Sequence, residues 1–140
     1  MALDYLLGAS IMLQLGPFQF GVTTAAYQSL WRSSEYRWPA QERFNNHAAL
    51  QYVGPGAESI TLSGVVYPEW RGGIHVIDDL RDLASQGLPQ LMIDGRGNML
   101  GRWVIERVEE TQSVFADAGV PRKQEFALQL RRYHGDEDMA

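Results

Sequence analysis

The sequence contains no cysteine. That absence excludes a disulfide framework, a cysteine-ligated zinc ribbon and a thiol nucleophile together. It also lacks any run of the ~20 consecutive apolar residues that a helical bilayer crossing requires. The most apolar stretch, Ala2 to Leu15, is interrupted by Asp4, Gly8, Ser10 and Gln14 and carries no Lys or Arg. It therefore lacks the positively charged start of a secretory signal and reads as a short helix or extended arm in a chain that folds in the cytoplasm, with no membrane role. Positive charge is scarce: 12 basic against 17 acidic side chains give a net charge of −5, where a non-specific grip on nucleic acid needs a basic surface. What remains is ordinary for a soluble globular domain, 140 residues at 45% hydrophobic and 21% charged.

Glycine and proline, by contrast, are frequent, at 14 and 6 residues, and they fall between short apolar runs. Such punctuation predicts strands and turns rather than a helical bundle. Phe18 and Phe20 share a face just after the Gly16-Pro17 break. Ala26 to Trp38 reads as a strand that stops at Trp38-Pro39. Gln41 to His47, polar and without period, reads as a mobile loop. Gly54-Pro55-Gly56 reads as a turn. From Glu58 to Tyr67 the alternation puts Ile60, Leu62, Gly64 and Val66 on one face, and the bare Gly64 leaves room there for a backbone or ring to approach. Val76, Leu80, Leu83 and Ala84 follow helical spacing, with Gly87 as the stop. Leu91-Met92-Ile93 is a short strand, and Asp94-Gly95-Arg96-Gly97 is the best hairpin turn. Asn98 to Glu109 has apolar residues on both faces, Leu100, Val104 and Val108 on one and Met99, Trp103 and Ile105 on the other. Val114 to Pro121 reads as a connection, and Arg122 to Tyr133 as the last strand, with Phe126, Leu128 and Leu130 inward. The expected fold is α+β: a β-sandwich or barrel of about six strands with one flanking helix. Residues 1–10 form an extension, 11–133 a single domain and 134–140 an acidic disordered tail.

No catalytic constellation emerges. His47, His75 and His134 are far apart and make no metal-ligand spacing. Leu62-Ser63-Gly64 lacks the preceding glycine of a nucleophile elbow. Asp78, Asp79 and Asp82 lie along a helix rather than around a calcium loop, and fit a solvated face. Neither glycine-rich turn has the lysine of a phosphate loop. Glu106, Glu109 and Glu110 have no evident partner or cleft. The sequence thus assigns no catalytic residue, no metal and no cofactor. The aromatics carry more information. Trp31, Arg32, Tyr36, Arg37 and Trp38 mix the three residue types that interfaces favour on a segment too polar to be wholly core, and Arg43 and Phe44 follow in the polar loop. The stretch fits a plain edge strand or a subunit interface.

The order of motifs resembles one family. Tyr36-Arg37-Trp38-Pro39, then Gly54 to Glu69 (GPGAESITLSGVVYPE), then Arg71-Gly72-Gly73, Leu91 to Gly97, Trp103-Val104-Ile105 with Glu110-Thr111, and Gly119 to Lys123 resemble the GpU-type tail proteins of contractile-tailed phages and R-type pyocins. The resemblance spans residues 11 to 133. It implies a non-enzymatic, tail-tube-like fold that closes into a ring, expected to be a hexamer, where the tube meets the baseplate hub, and that is needed for tail completion. Its partners would be copies of itself, tube proteins and hub proteins, with DNA passing through the lumen without specific binding. Its place would be the baseplate-proximal virion tail, after assembly in the host cytoplasm. A head-proximal tail terminator is the alternative within the family, and a small ligand-binding barrel or enzyme is the alternative outside it.

Overall fold

A computed structural model describes residues 11–21, 25–68, 75–115, 119 and 121–135. The expected extension at 1–10, the Arg71-Gly72-Gly73 motif and the acidic end from Asp136 onward lie outside the described residues. In chain order the elements are β1 (Ile11–Leu15), β2 (Phe18–Gly21), β3 (Ala26–Arg37), β4 (Ala40–Arg43), β5 (Asn46–Leu50), β6 (Gly54–Val66), α1 (Val76–Ser85), β7 (Gln90–Asp94), β8 (Met99–Phe115) and β9 (Pro121–Arg132). Seven strands form one sheet in the order β2-β1-β7-β8-β9-β6-β3, and β4 pairs with β5 as a separate hairpin. Every pairing is antiparallel. The sheet curls into a half-barrel, bringing its two ends together where the Phe20 and Tyr27 rings stand 6.3 Å apart.

Strand alternation decides what the curl encloses. Ile60, Leu62 and Val66 of β6 and Phe126, Leu128 and Leu130 of β9 are buried, as the period-two pattern requires. Leu13, Leu15 and Phe20 close the core from β1 and β2, and Val76, Ile77, Leu80 and Leu83 fill it from α1. Gly64 lies where expected: a Cβ there would overlap the Ala26 carbonyl oxygen and stand 2.8 Å from Tyr27 Cα and 3.0 Å from Phe126 Cε1. The helix ends as predicted, with Gly87 at φ +68° and its N–H donating to Ala84 O at 3.2 Å. The Asp94–Gly97 turn is held by its own carboxylate. Arg96 and Asn98 backbone N–H groups donate to Asp94 Oδ1 at 2.9 Å, and these bonds hold the Asp94 carboxyl below the usual range.

Several expectations need correction. The main sheet has seven strands rather than about six, because Ile11–Leu15 pairs with both β2 and β7 instead of lying in an N-terminal helix or arm. The polar Gln41–His47 segment is not a loop but most of the β4–β5 hairpin, exposed on nearly every residue and therefore without a burial period to betray it. Gly54-Pro55-Gly56 is not the turn: Arg37 pairs with Gly54, so this segment opens β6 and the chain reverses further out, where Asn45 takes φ +57°. β8 runs on past Glu109 to Phe115, into the expected connection. Its two apolar faces are reconciled by a bulge between Ile105 and Arg107. The extra residue lets Trp103, Ile105 and Val108 all pack on the core.

Two polar devices lock the layers. Glu110, its side chain only 8% exposed, accepts from Arg81 Nη1 of α1 at 2.8 Å, from Gln112 Nε2 at 2.9 Å and from Gln124 Nε2 of β9 at 2.7 Å. Burial pushes the Glu110 carboxyl up, but the three donors outweigh it and hold it below its ordinary value, while the bond to Glu110 raises Arg81. At the other end of β8, Arg132 donates to Leu100 O at 3.2 Å and lies over the Trp103 ring, 6.0 Å from its centroid. Gly101, at φ +89°, leaves the space that this guanidinium occupies.

Candidate functional site

Five of the seven residues singled out in the sequence, Tyr36, Arg37, Trp38, Arg43 and Phe44, lie on one feature. β6 pairs with β9 only from Ser59 onward, where Ser59 meets Arg131. Residues 34–58 therefore have no third strand and form a two-stranded ribbon that projects past the end of the sheet. Its pairing continues from Arg37–Gly54 through backbone bonds from Val53 N to Arg37 O (3.0 Å) and Gln51 N to Pro39 O (3.3 Å) into the β4–β5 hairpin. An isolated two-stranded hairpin has no core of its own. This one nevertheless carries Tyr36, Trp38, Leu50, Tyr52 and Val53 exposed along its length, and Phe44, 94% exposed, at its tip.

The side chains divide by face. Trp31, 59% exposed, pairs with Thr61 on the solvent side of the sheet. Arg32 pairs with Ile60 on the opposite side, where its Nε donates to Glu58 Oε1 at 3.0 Å. Tyr36 sits opposite Pro55 and Arg37 opposite Gly54, after a register shift between Ser34 and Tyr36. Trp38 packs against Tyr52 at a centroid distance of 5.0 Å and a tilt of 45°. Arg43 Nε donates to His47 O at 3.0 Å and stiffens the tip beside Phe44. Thus Trp31 and Arg32 belong to the sheet edge, whereas Tyr36, Arg37, Trp38, Arg43 and Phe44 belong to the projecting ribbon. Leu50, Tyr52 and Val53, which the sequence reading left out of the interface, complete the apolar surface; their signal was three large apolar residues just before a Gly-Pro-Gly segment.

The sheet also ends in unpaired edges. β3 is the terminal strand, with β6 on one side and no strand on the other among the described residues. β7 pairs with β8 only as far as Trp103, so among the described residues β8 has a strand partner from Val104 to Phe115 on its β9 side alone. The block β8-β9-β6-β3 thus presents two long free edges, one at each end. Such rows of unsatisfied backbone donors and acceptors are templates for pairing with another chain. Nothing comparable points to chemistry. Among the described residues no group of three or more His, Asp or Glu side chains is placed to hold a metal ion, and Glu110 is occupied in bracing α1.

An exposed aromatic ribbon and two free edges give the half-barrel surfaces that another chain could cover, and the sequence supplies the lineage. Residues 16–135 match the Phage P2 GpU family. The chain belongs to this family. GpU-family proteins are structural phage tail components, not enzymes, and this chain is a structural phage tail protein. A relative in Halomonas phage phiHAP-1, named "Probable tape measure protein", is 36% identical over 110 residues, which make up 79% of this chain and 12% of that protein's length. The chain therefore spans about an eighth of that relative. Among solved structures, a chain from the virion of a native gene transfer agent particle superposes with a TM-score of 0.58 at 12% identity, covering 91% of this chain and 94% of that one. A chain from the tail of the empty particle, a structure of C6 symmetry, gives 0.56 at 12% identity with the same coverage. These likenesses concern the fold, a mostly β half-barrel with one helix.

Proposed function

We propose that residues 11–133 act as one tail-tube-like domain that joins edge to edge with copies of itself into a ring at the junction of tail tube and baseplate hub, and that this ring is needed to complete the tail. The observation that carries the reading is the pair of free edges on the β8-β9-β6-β3 block. They lie at opposite ends of the block, so the contact between copies is heterologous: the β3 edge of one copy meets the β8 edge of the next. Heterologous contacts close into rings when the rotation between copies allows it. Trp31 and Arg32 lie at that seam. The bore is consistent with a conduit. Six copies, the symmetry of the gene transfer agent tail, with four strands each, place roughly 24 strands around the ring, and at ~4.8 Å per strand the circumference is about 115 Å and the diameter about 37 Å before tilt.

The ribbon has a different use. Lateral neighbours are reached through the edges, whereas residues 34–58 continue along the strand direction, past the end of the sheet. They therefore reach the tail component stacked above or below, tube protein or hub, and Phe44, Trp38 and Tyr52 are the anchors of that contact. The much longer phage relative, named a probable tape measure protein, carries the matching stretch within one chain, which supports a working position beside tail proteins of that kind. The protein would assemble in the host cytoplasm and end in the baseplate-proximal tail. Light scattering and electron microscopy of the purified protein, with immunolabelling of intact particles, test the reading. Rings about six times the 15.8 kDa chain, and label confined to the baseplate end, are expected. A strictly monomeric protein missing from particles refutes it, and label at the head end moves the ring to the terminator position.

A further inference from the structure

The core row of the β8-β9-β6-β3 block is unfinished at both edges, and the two ends are complementary. The register places Leu30 of β3, Leu62 of β6, Leu128 of β9 and Val108 of β8 side by side. Residues directly opposite on neighbouring strands point to the same face, so all four point to the side that carries α1. Leu62 and Leu128, in the middle of the row, are fully buried, whereas Leu30 at the β3 end is 43% exposed. At the other end the row opens into a groove of about 360 Å³ between α1 and the free stretch of β8. Ile105 and Val108 line its strand side, and Ala84 and Ser85 line its helix side. Those two helix residues are small, and the bond from Arg81 Nη1 to Glu110 Oε1 at 2.8 Å fixes α1 against β8, so the space between them stays open.

We infer that Leu30 of one copy seats in the groove between α1 and β8 of the next, so that the buried row continues across the seam and the helix takes part in the contact; the inference rests on the ring reading above. Strand sense permits it. Neighbours in the block alternate in direction and the block has four strands, so β3 of one copy meets β8 of the next antiparallel, like every other pair in the sheet. Side decides which residue enters. A sheet continued through its edges keeps its faces, and between Ala26 and Ser34 β3 exposes two large apolar side chains, Leu30 and Trp31. Trp31 points to the other face, so Leu30 alone can reach the groove. The floor suits it: Ile105 and Val108 are aliphatic residues of the core left partly open. Across the bulge, Ile105 is the next position on that face of β8, so a slip of two residues between copies moves Leu30 from Val108 to Ile105 and keeps it in the same groove.

Because the chain has no cysteine, disulfide trapping tests the contact directly. Full-length protein carrying Leu30→Cys with Val108→Cys, or Leu30→Cys with Ile105→Cys, is assembled and oxidised. Within one copy these positions are three strand spacings apart, about 14 Å, beyond the ~7 Å between Cα atoms that a disulfide can span. Any bridge therefore joins two copies. One of the two variants is expected to give a covalent ladder up to the size of the ring on non-reducing gels. Trp31→Cys with Val108→Cys, whose side chains face opposite ways, is expected to stay unlinked. Leu30→Asp should leave the melting temperature of the unassembled chain unchanged and raise the concentration needed for rings at least ~10-fold. Rings in which neither Leu30 pair links, linkage through the Trp31 pair, or Leu30→Asp rings at the native concentration overturn the inference while the ring reading stands. A native protein that forms no rings refutes the ring reading itself, and the inference with it.

Discussion

Replacing Gly64 by alanine tests the packing of the half-barrel with the smallest possible change. Gly64 pairs with Tyr27 on one side and Phe126 on the other, and its φ is not in the left-handed region. Backbone conformation alone would then favour alanine by about 0.4–1 kcal/mol, since the unfolded chain loses more freedom with glycine. Sterics act the other way. The added methyl would overlap the Ala26 carbonyl oxygen and lie 2.8 Å from Tyr27 Cα, both backbone atoms, as well as 3.0 Å from the Phe126 ring. Backbone cannot rotate away as a side chain can, so β3 must move off β6 or Phe126 must leave its rotamer. Overpacking of this kind costs ~1–3 kcal/mol, occasionally more. Setting the upper part of that range against the backbone gain leaves a net loss of about 2 kcal/mol, or ~7 °C in Tm for a chain of this size. Calorimetry or thermal circular dichroism measures it, with Ser63→Ala as the control on the same strand. The control removes only the 2.6 Å hydroxyl contact to Ser29 and should cost no more than ~1 kcal/mol. A Gly64→Ala protein that melts within about 2 °C of the native one would show that the core face at this point is open, and the packing argument would be wrong.

Three other outcomes follow from the same structure. Glu110→Gln removes the charge that Arg81 and Gln124 share, and denaturant titration should show a loss of about 1–2 kcal/mol at neutral pH. Because Glu110 titrates below its ordinary value in the folded state, its contribution is present above the unfolded carboxyl range and disappears as pH falls through the folded value. The gap between native and variant should therefore close in acid, and a gap independent of pH would contradict the ionic role. Gly101→Ala should lower Tm by several degrees, since the residue holds φ +89° and a Cβ would stand 2.7 Å from Arg132 Nη1; Arg132→Lys tests the same corner and should weaken the contact with Trp103 without the backbone strain. Phe44→Ser, at a side chain 94% exposed, should leave Tm unchanged yet reduce incorporation into tails, and normal tail yield in a complementation assay would remove the ribbon tip from the proposed interface.

Whatever depended on local spacing was legible in the letters. The alternation of Ile60, Leu62 and Val66, the three-and-four spacing of Val76, Leu80 and Leu83, and the Asp94–Gly97 turn each describe a few contiguous residues whose burial or hydrogen bonding is set within the segment. What escaped depended on distant partners. Ile11–Leu15 is too short and too uniformly apolar to reveal its type, and only its pairing with Phe18–Gly21 and with Met92–Asp94 makes it a strand. Gln41–His47 has no buried side to generate a period, so its hairpin is invisible to any pattern that reads burial. Glu110 looked unpartnered because Arg81 and Gln124 come to it from a helix and a strand that are 29 and 14 residues away. The candidate interface residues stood out as a composition, aromatic rings and arginines together. Their division between sheet edge and ribbon did not, because it turns on where β9 stops pairing with β6.

The free β3 edge raises a problem that the strand itself addresses. A flat, exposed edge of 12 residues would invite indiscriminate pairing with any extended chain during expression. β3 is not flat, and its exposed rings are interspersed with charge. Its register shifts twice, between Tyr27 and Ser29 and between Ser34 and Tyr36, and each irregularity twists the edge and interrupts the regular spacing of its donors and acceptors. Arg32, Glu35 and Arg37 add alternating charge along the same strand. A partner must then match both interruptions and the charge order, a condition that a random strand does not meet and that the β8 edge of an identical subunit can be selected to meet. In the proposed ring, the features that guard the edge of the isolated chain are in this way the same ones that would make closure selective. Removing the second shift by deleting Glu35 should weaken both properties at once: more aggregation of the isolated chain and fewer closed rings, measured together by light scattering. Better rings from the deletion would mean that the shift only hinders pairing and carries no selectivity.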